Sequence, residues 1–153
     1  MIDQYDRKIL SLLQENADLP LTELAERVNL TKNPCWRRIQ KMQVAGLIKK
    51  KVMLLDAKKL NLGVTAFVNI RTTQHTTEWL GKFAEVVNDI PEIVEFYRMS
   101  GDVDYLLKIV APSIEAYDAV YKQLIKRIDI ANVSSFFAME EMKNTTALPL
   151  KYT

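Results

Sequence analysis

The apolar rhythm of this chain changes once, across residues 56–63, and the change divides what the two sides can fold into. Before it, apolar residues recur at helical spacing in short runs separated by turn residues. Asp3 can cap a first helix running to about residue 15 or 16, with Tyr5, Ile9, Leu12 and Leu13 on one face. Asp18, Leu19 and Pro20 break it. Thr22 is placed to cap a short second helix with Leu24, Ala25 and Val28 inward. Asn29 tolerates the left-handed backbone of a tight turn. Thr31 is the N-cap of a third helix, and Pro34 falls in its first turn, where backbone N–H groups have no intrahelical partner to lose. Gly46 ends that helix, and residues 47–55 read as a strand leading into the linker.

After the linker the pattern becomes mixed. Residues 64–72 are rich in β-formers, and 78–89 carry Leu80, Phe83, Ala84 and Val87 at helical spacing. Pro91 stops that helix. Strands over 93–99 and 104–111 flank Gly101 and Asp102 and form a hairpin. Ser113 caps a helix with Tyr117, Val120, Tyr121, Leu124 and Ile128 on one face, and 133–142 is a last strand. The order βαββαβ predicts a ferredoxin-like sandwich with both helices on one sheet face. The fold class is therefore α+β: a helix-turn-helix domain with its linking strand over 1–60, and the sandwich over 61–153. One chain has nothing left to cover the second sheet face. Phe67, Phe96, Phe136 and Phe137 are the candidates for that surface, which predicts at least a homodimer.

Charge is distributed along the same division. Residues 1–60 hold 12 Lys+Arg against 7 Asp+Glu, a net of +5, and residues 61–153 hold 9 against 12, a net of −3. From Thr31 to Lys51 there are seven basic residues and no acid. A basic helix that follows a short helix through a tight turn suits the DNA major groove. The DNA-facing set is Thr31, Lys32, Asn33, Trp36, Arg37, Arg38 and Lys41. Arg38 has a second reading, a bridge to a carboxylate on an earlier helix such as Glu23 or Glu26. Trp36 also has two readings, packing on the first two helices or contact with DNA.

Other chemistries find little support. Cys35 is the only cysteine and His75 the only histidine, so no metal site is expected. The four glycines, at 46, 63, 81 and 101, form no phosphate cradle, and no cofactor is called for. Glu140 and Glu141, adjacent on a strand, point to opposite faces and fail as a catalytic pair. The start MIDQYDRKIL has no apolar signal core and no run approaches membrane-spanning length, which implies a cytoplasmic, nucleoid-associated protein and no membrane partner. Asp102 and Asp104 beside Gly101 read either as hairpin turn chemistry or as carboxylates for an ammonium ligand.

The segments LTELAERVNLTKNPCWRRIQKMQVAGLI, GDVDYLLKIV and MKNTTALPL, in that order and spacing, resemble the Lrp/AsnC (feast/famine) transcriptional regulators across nearly the whole chain. The first is similar to that family's helix-turn-helix, the second to its effector-domain signature, the third to its closing strand. The resemblance implies dimers through the sandwich sheets, often assembled to octamers, and a small amino acid bound between dimers near the Gly101 turn. The ligand set then comprises Ser100, Gly101, Asp102, Asp104 and Tyr105, with Thr145 and Thr146 either adding hydroxyl contacts or serving only as strand residues. Pro34-Cys35-Trp36 is bulkier than the small residues many members carry there, a departure that bears on base preference. The expected function is a transcriptional regulator, not an enzyme, whose assembly or DNA affinity responds to an amino acid. An effector-independent architectural DNA-binding protein is the alternative. An enzyme or an amino-acid-binding subunit that ignores DNA is the reading the acid-free helix opposes.

Overall fold

Asp3 opens the first helix as its sequence position predicts. Its carboxylate accepts from the amides of Tyr5 and Asp6, and the Asp6 carboxylate accepts from the Asp3 amide, a reciprocal box that starts α1 (Gln4–Glu15). The computed structural model describes residues 2–153. Helix α2 (Leu21–Arg27) begins two residues earlier than predicted. Pro20, not Thr22, stands at its N-cap and makes no side-chain capping bond; its carbonyl accepts from Leu24 at 2.9 Å. Helix α3 (Lys32–Val44) follows. Ile9, Leu24, Ala25, Val28, Cys35 and Met42 are the buried residues that hold the three helices together.

Both turns of this unit close the same way. After α2, Leu30 N–H donates to the Ala25 carbonyl and Asn29 N–H to that of Glu26, with Asn29 left-handed at φ 56°. After α3, Leu47 N–H donates to Met42 and Gly46 N–H to Gln43, with Gly46 at φ 73°.

The predicted linking strand over 47–55 is irregular in the chain. A strand needs a neighbour, and among the described residues none pairs with it. Val52, Met53, Leu54 and Leu55 are left exposed. Asp56 then caps a single turn whose end is the left-handed Asn61 at φ 59°.

The second unit has the predicted order: β1 (Val64–Arg71), α4 (Thr77–Asn88), β2 (Ile93–Arg98), β3 (Tyr105–Ala111), α5 (Ile114–Arg127) and β4 (Asn132–Phe137). The sheet order is β2-β3-β1-β4, antiparallel throughout. Alternate residues Ala66, Val68 and Ile70, and Tyr105, Leu107, Ile109 and Ala111, are buried with Trp79, Phe83 and Val87 of α4 and Tyr117, Val120 and Leu124 of α5. Phe96, expected on the open sheet face, pairs in register with Leu107 and stacks 5.0 Å from Phe83, so it belongs to the core side. The irregularity in register between Ile93 and Glu95 re-aims it. Phe137 also turns to the helices, with its ring 5.0 Å from Tyr117. Phe67 and Phe136 do lie on the other face, opposite each other in the β1–β4 register, and are exposed.

β4 ends five residues sooner than expected. Ala138 still donates to the Thr65 carbonyl at 2.9 Å, but β1 begins at Val64 and offers no further partner. Glu140 and Glu141 therefore lie beyond the strand, and the opposite-face argument does not apply to them. The segment MKNTTALPL is not a strand either. It ends in a 3-10 turn, Leu150–Tyr152. The division of the chain also differs from the single boundary near residue 60. One compact unit comprises residues up to Leu54 together with Lys143–Thr153, and the other is Leu55–Met142. The returning tail is held to α1 by a two-way amide contact: Leu148 N–H donates to Gln14 Oε1 at 2.6 Å, and Gln14 Nε2 donates to the Leu148 carbonyl at 3.2 Å.

Candidate functional site

Helix α3 presents one unencumbered side. Asn33, Arg37 and Lys41 follow one another at four-residue spacing and are all exposed, as are Lys32 and Trp36 beside them. Cys35 and Met42 occupy the opposite, buried side. Thr31 stands at the N-cap, but its side chain makes no capping bond, contrary to the role the sequence assigns its hydroxyl. Lys51, at the end of the basic run, pairs with Asp18.

Arg38 takes a different part. Its Nη1 lies 2.7 Å from Asp3 Oδ2 and 2.8 Å from Asp6 Oδ1, and its guanidinium sits over the Tyr5 ring. The carboxylate partner is thus on α1, not Glu23 of α2, which pairs with Arg27. The hydrogen bonds that Arg38 donates to Asp6, then to Asp3, hold its guanidinium above its usual range. The Asp6 amide, with help from Arg38, holds the Asp3 carboxyl below the ordinary carboxylate range. Arg38 therefore ties α3 to the start of α1. It lines one shallow cleft with Asp3, Asp6, Pro34, Arg37 and Lys41, which leaves Arg37 and Lys41 as that cleft's uncommitted cations. Burial pushes the Cys35 thiol up, which makes it a poor nucleophile.

Trp36 is not among the buried residues that hold the three helices together. It is 44% exposed.

In the second unit, the turn between β2 and β3 holds the other predicted set. Met99 N–H donates to the Asp104 carbonyl at 2.8 Å, which closes the turn. Asp104 is spent inside the fold: its amide donates to Ile70, and its Oδ2 accepts from the Thr72 amide at 2.8 Å. Asp102 is exposed and has no protein partner among the described residues. The amides of Ser100, Gly101, Asp102 and Val103 likewise donate to no protein acceptor among them. Gly101 adopts φ 106°, a backbone conformation that glycine takes without strain. Unpaired N–H groups in a run can donate to an anion, and a free carboxylate beside them suits an ammonium.

Two expected ligand groups are placed otherwise. Tyr105 is buried among Trp79, Phe83 and Phe96, its ring 5.3 Å from Phe83, so its side chain is core. Thr145 and Thr146 are exposed in the irregular tail and belong to the first unit, while the turn belongs to the second. Sequence reasoning also missed Asp6, a buried acid, and Gln14, the tail's anchor. The capping-box spacing from Asp3 to Asp6 was the available signal for the former; nothing local marks the latter.

Comparison with known proteins returns the same two parts. A profile described as winged helix-turn-helix DNA-binding matches residues 2–49, and one described as the Lrp/AsnC ligand binding domain matches residues 65–148. The chain is 48% identical over 152 residues to the glutamate uptake regulatory protein of Zymomonas mobilis, covering 99% of this chain and 93% of that protein. It is 45% identical to the DNA-binding transcriptional activator DecR of Escherichia coli, covering 99% and 100%. Among solved structures, an AsnC family transcriptional regulator from Agrobacterium tumefaciens is 58% identical with a TM-score of 0.96, covering 99% of each chain. A transcriptional regulator from Neisseria meningitidis, solved as an L-Met complex, is 33% identical with a TM-score of 0.94, again over 99% of each.

Proposed function

This chain belongs to the Lrp/AsnC family of transcriptional regulators, and from that premise we propose that it binds double-stranded DNA as a homodimer, assembling to an octamer, and that a free amino acid changes its assembly or its DNA affinity. The observation that carries this reading is the pairing of two uncommitted surfaces in one chain. The exposed side of α3 suits a polyanion, and the unpaired amides of residues 100–103 with Asp102 suit a zwitterion. The ligand carboxylate meets the amides, and its ammonium meets Asp102. The L-Met complex of the Neisseria relative supports an amino acid as the effector class.

The dimer reading draws on surfaces the single chain leaves uncovered. Phe67 and Phe136 sit side by side on the open sheet face, and Val52 to Leu55 stand exposed in a segment of strand-forming composition. Two-fold pairing presents two recognition helices to successive major grooves about 34 Å apart, which calls for roughly palindromic operators.

Titration of genomic fragments over a salt series tests DNA binding: log K falls with log salt by about 0.9 per phosphate neutralised. A thermal-shift screen of the natural amino acids tests the sensor, with at least one raising the Tm at millimolar concentration and altering assembly or affinity. Absence of salt-dependent binding rejects the regulator reading. Binding without any amino-acid response leaves the effector-independent architectural protein.

A further inference from the structure

The two tryptophans of this chain have opposite fates. Trp79 is buried, and its indole N–H donates to the Asp129 carbonyl at 3.0 Å, the usual settlement for a buried indole. Trp36 is 44% exposed, and its indole N–H has no acceptor among the described residues. It stands in the second turn of α3, flanked by Lys32, Asn33 and Arg37, all exposed. In a helix docked in the major groove, the residues near the N-terminus are those that meet base edges. Lysine and arginine beside it answer phosphates or guanine. A large apolar ring with one N–H can make a single such bond, and its apolar surface is matched by neither phosphate nor guanine.

We infer that Trp36 reads thymine, one in each half-site, with its ring against the 5-methyl group. The chemistry of the groove selects this base. Thymine alone offers an apolar group there, and next to it O4, an acceptor. An indole is an apolar surface with a donor and no acceptor. Cytosine presents an amino donor that the indole cannot receive, and guanine presents two acceptors with no apolar group. Adenine presents one acceptor beside a donor, again without an apolar group. The inference rests on the docking of α3 proposed above and adds to it which base the helix prefers.

The test uses the full-length protein and a duplex that it selects from a random pool. Each thymine is replaced in turn by deoxyuridine, which removes the 5-methyl and nothing else. Wild type binds about fourfold more weakly at one thymine per half-site, the value of one buried methyl. Trp36→Ala, with its helix content checked by circular dichroism, binds the thymine and uracil duplexes equally. Lys41→Ala binds both more weakly but keeps their fourfold ratio. Wild type that tolerates uracil at every position overturns the inference while leaving DNA binding in place. So does a uracil penalty that persists in Trp36→Ala. Selection of no duplex at all overturns the docking together with it.

Discussion

Asp102 and Asp104 are two residues apart and do different work. The Asp104 carboxylate terminates β1 by receiving the Thr72 amide, whereas Asp102 faces solvent. Asp102→Asn is therefore expected to melt like wild type and to lose the amino-acid response in the thermal-shift screen. Asp104→Ala leaves the partly buried Thr72 amide unsatisfied and is expected to lower stability by about 1–3 kcal/mol, read by urea denaturation. A normal response in Asp102→Asn places the ligand elsewhere. The sequence shows both acids and the glycine but not which acid is spent, because that depends on where β1 ends beside the turn. Arg38 is a parallel case. Its helix position was readable, yet its partners Asp3 and Asp6 lie 35 and 32 residues away. Because the Asp3 carboxyl is depressed in the fold, the stability it lends is present above its ordinary value near 3.8 and is lost as pH falls through the folded value. Acid melts from pH 5 downward are expected to show this loss in wild type and less of it in Arg38→Ala, which has already lost the tie.

At the scale of elements, the helices were legible and the strand ends were not. The Asp3 and Ser113 caps, left-handed Asn29 and Gly46, and apolar spacing are local signals that appear where the sequence places them, whereas Thr22 yields its N-cap place to Pro20 and Thr31 makes no capping bond. A strand's length is set by its neighbour. Residues 47–55 and 139–142 have strand-like composition but join no sheet ladder among the described residues, so composition over-predicted both. The tail's return to α1 carries no local signal at all, since it depends on one glutamine side chain. Gln14→Ala removes both hydrogen bonds of that contact. Hydrogen exchange is expected to quicken at Leu148 with little change in the β1–β3 amides. Equal protection of Leu148 in wild type and variant contradicts the anchor.

For the whole molecule, the open sheet face is the feature that one chain cannot resolve. Phe67 lies between Phe136 and Lys108 in register, and Lys108 pairs with Glu95 at 3.1 Å, which in turn accepts from the Tyr97 hydroxyl at 2.8 Å. Phe136→Asp places a charge at the apolar end of that row. Analytical ultracentrifugation is expected to show wild type as a dimer or larger at micromolar concentration and the variant shifted toward monomer. A monomeric wild type removes the dimer reading.

The tail has a consequence in the order of synthesis. The second unit lies, in sequence, inside the first, and residues 143–153 are made after all of it. Synthesis supplies every residue of the second unit before the last segment of the first exists. Translation that stops near residue 142 yields an intact second unit attached to an unfinished first one. The first unit is thus the later of the two to receive all its residues, although α3 was translated long before.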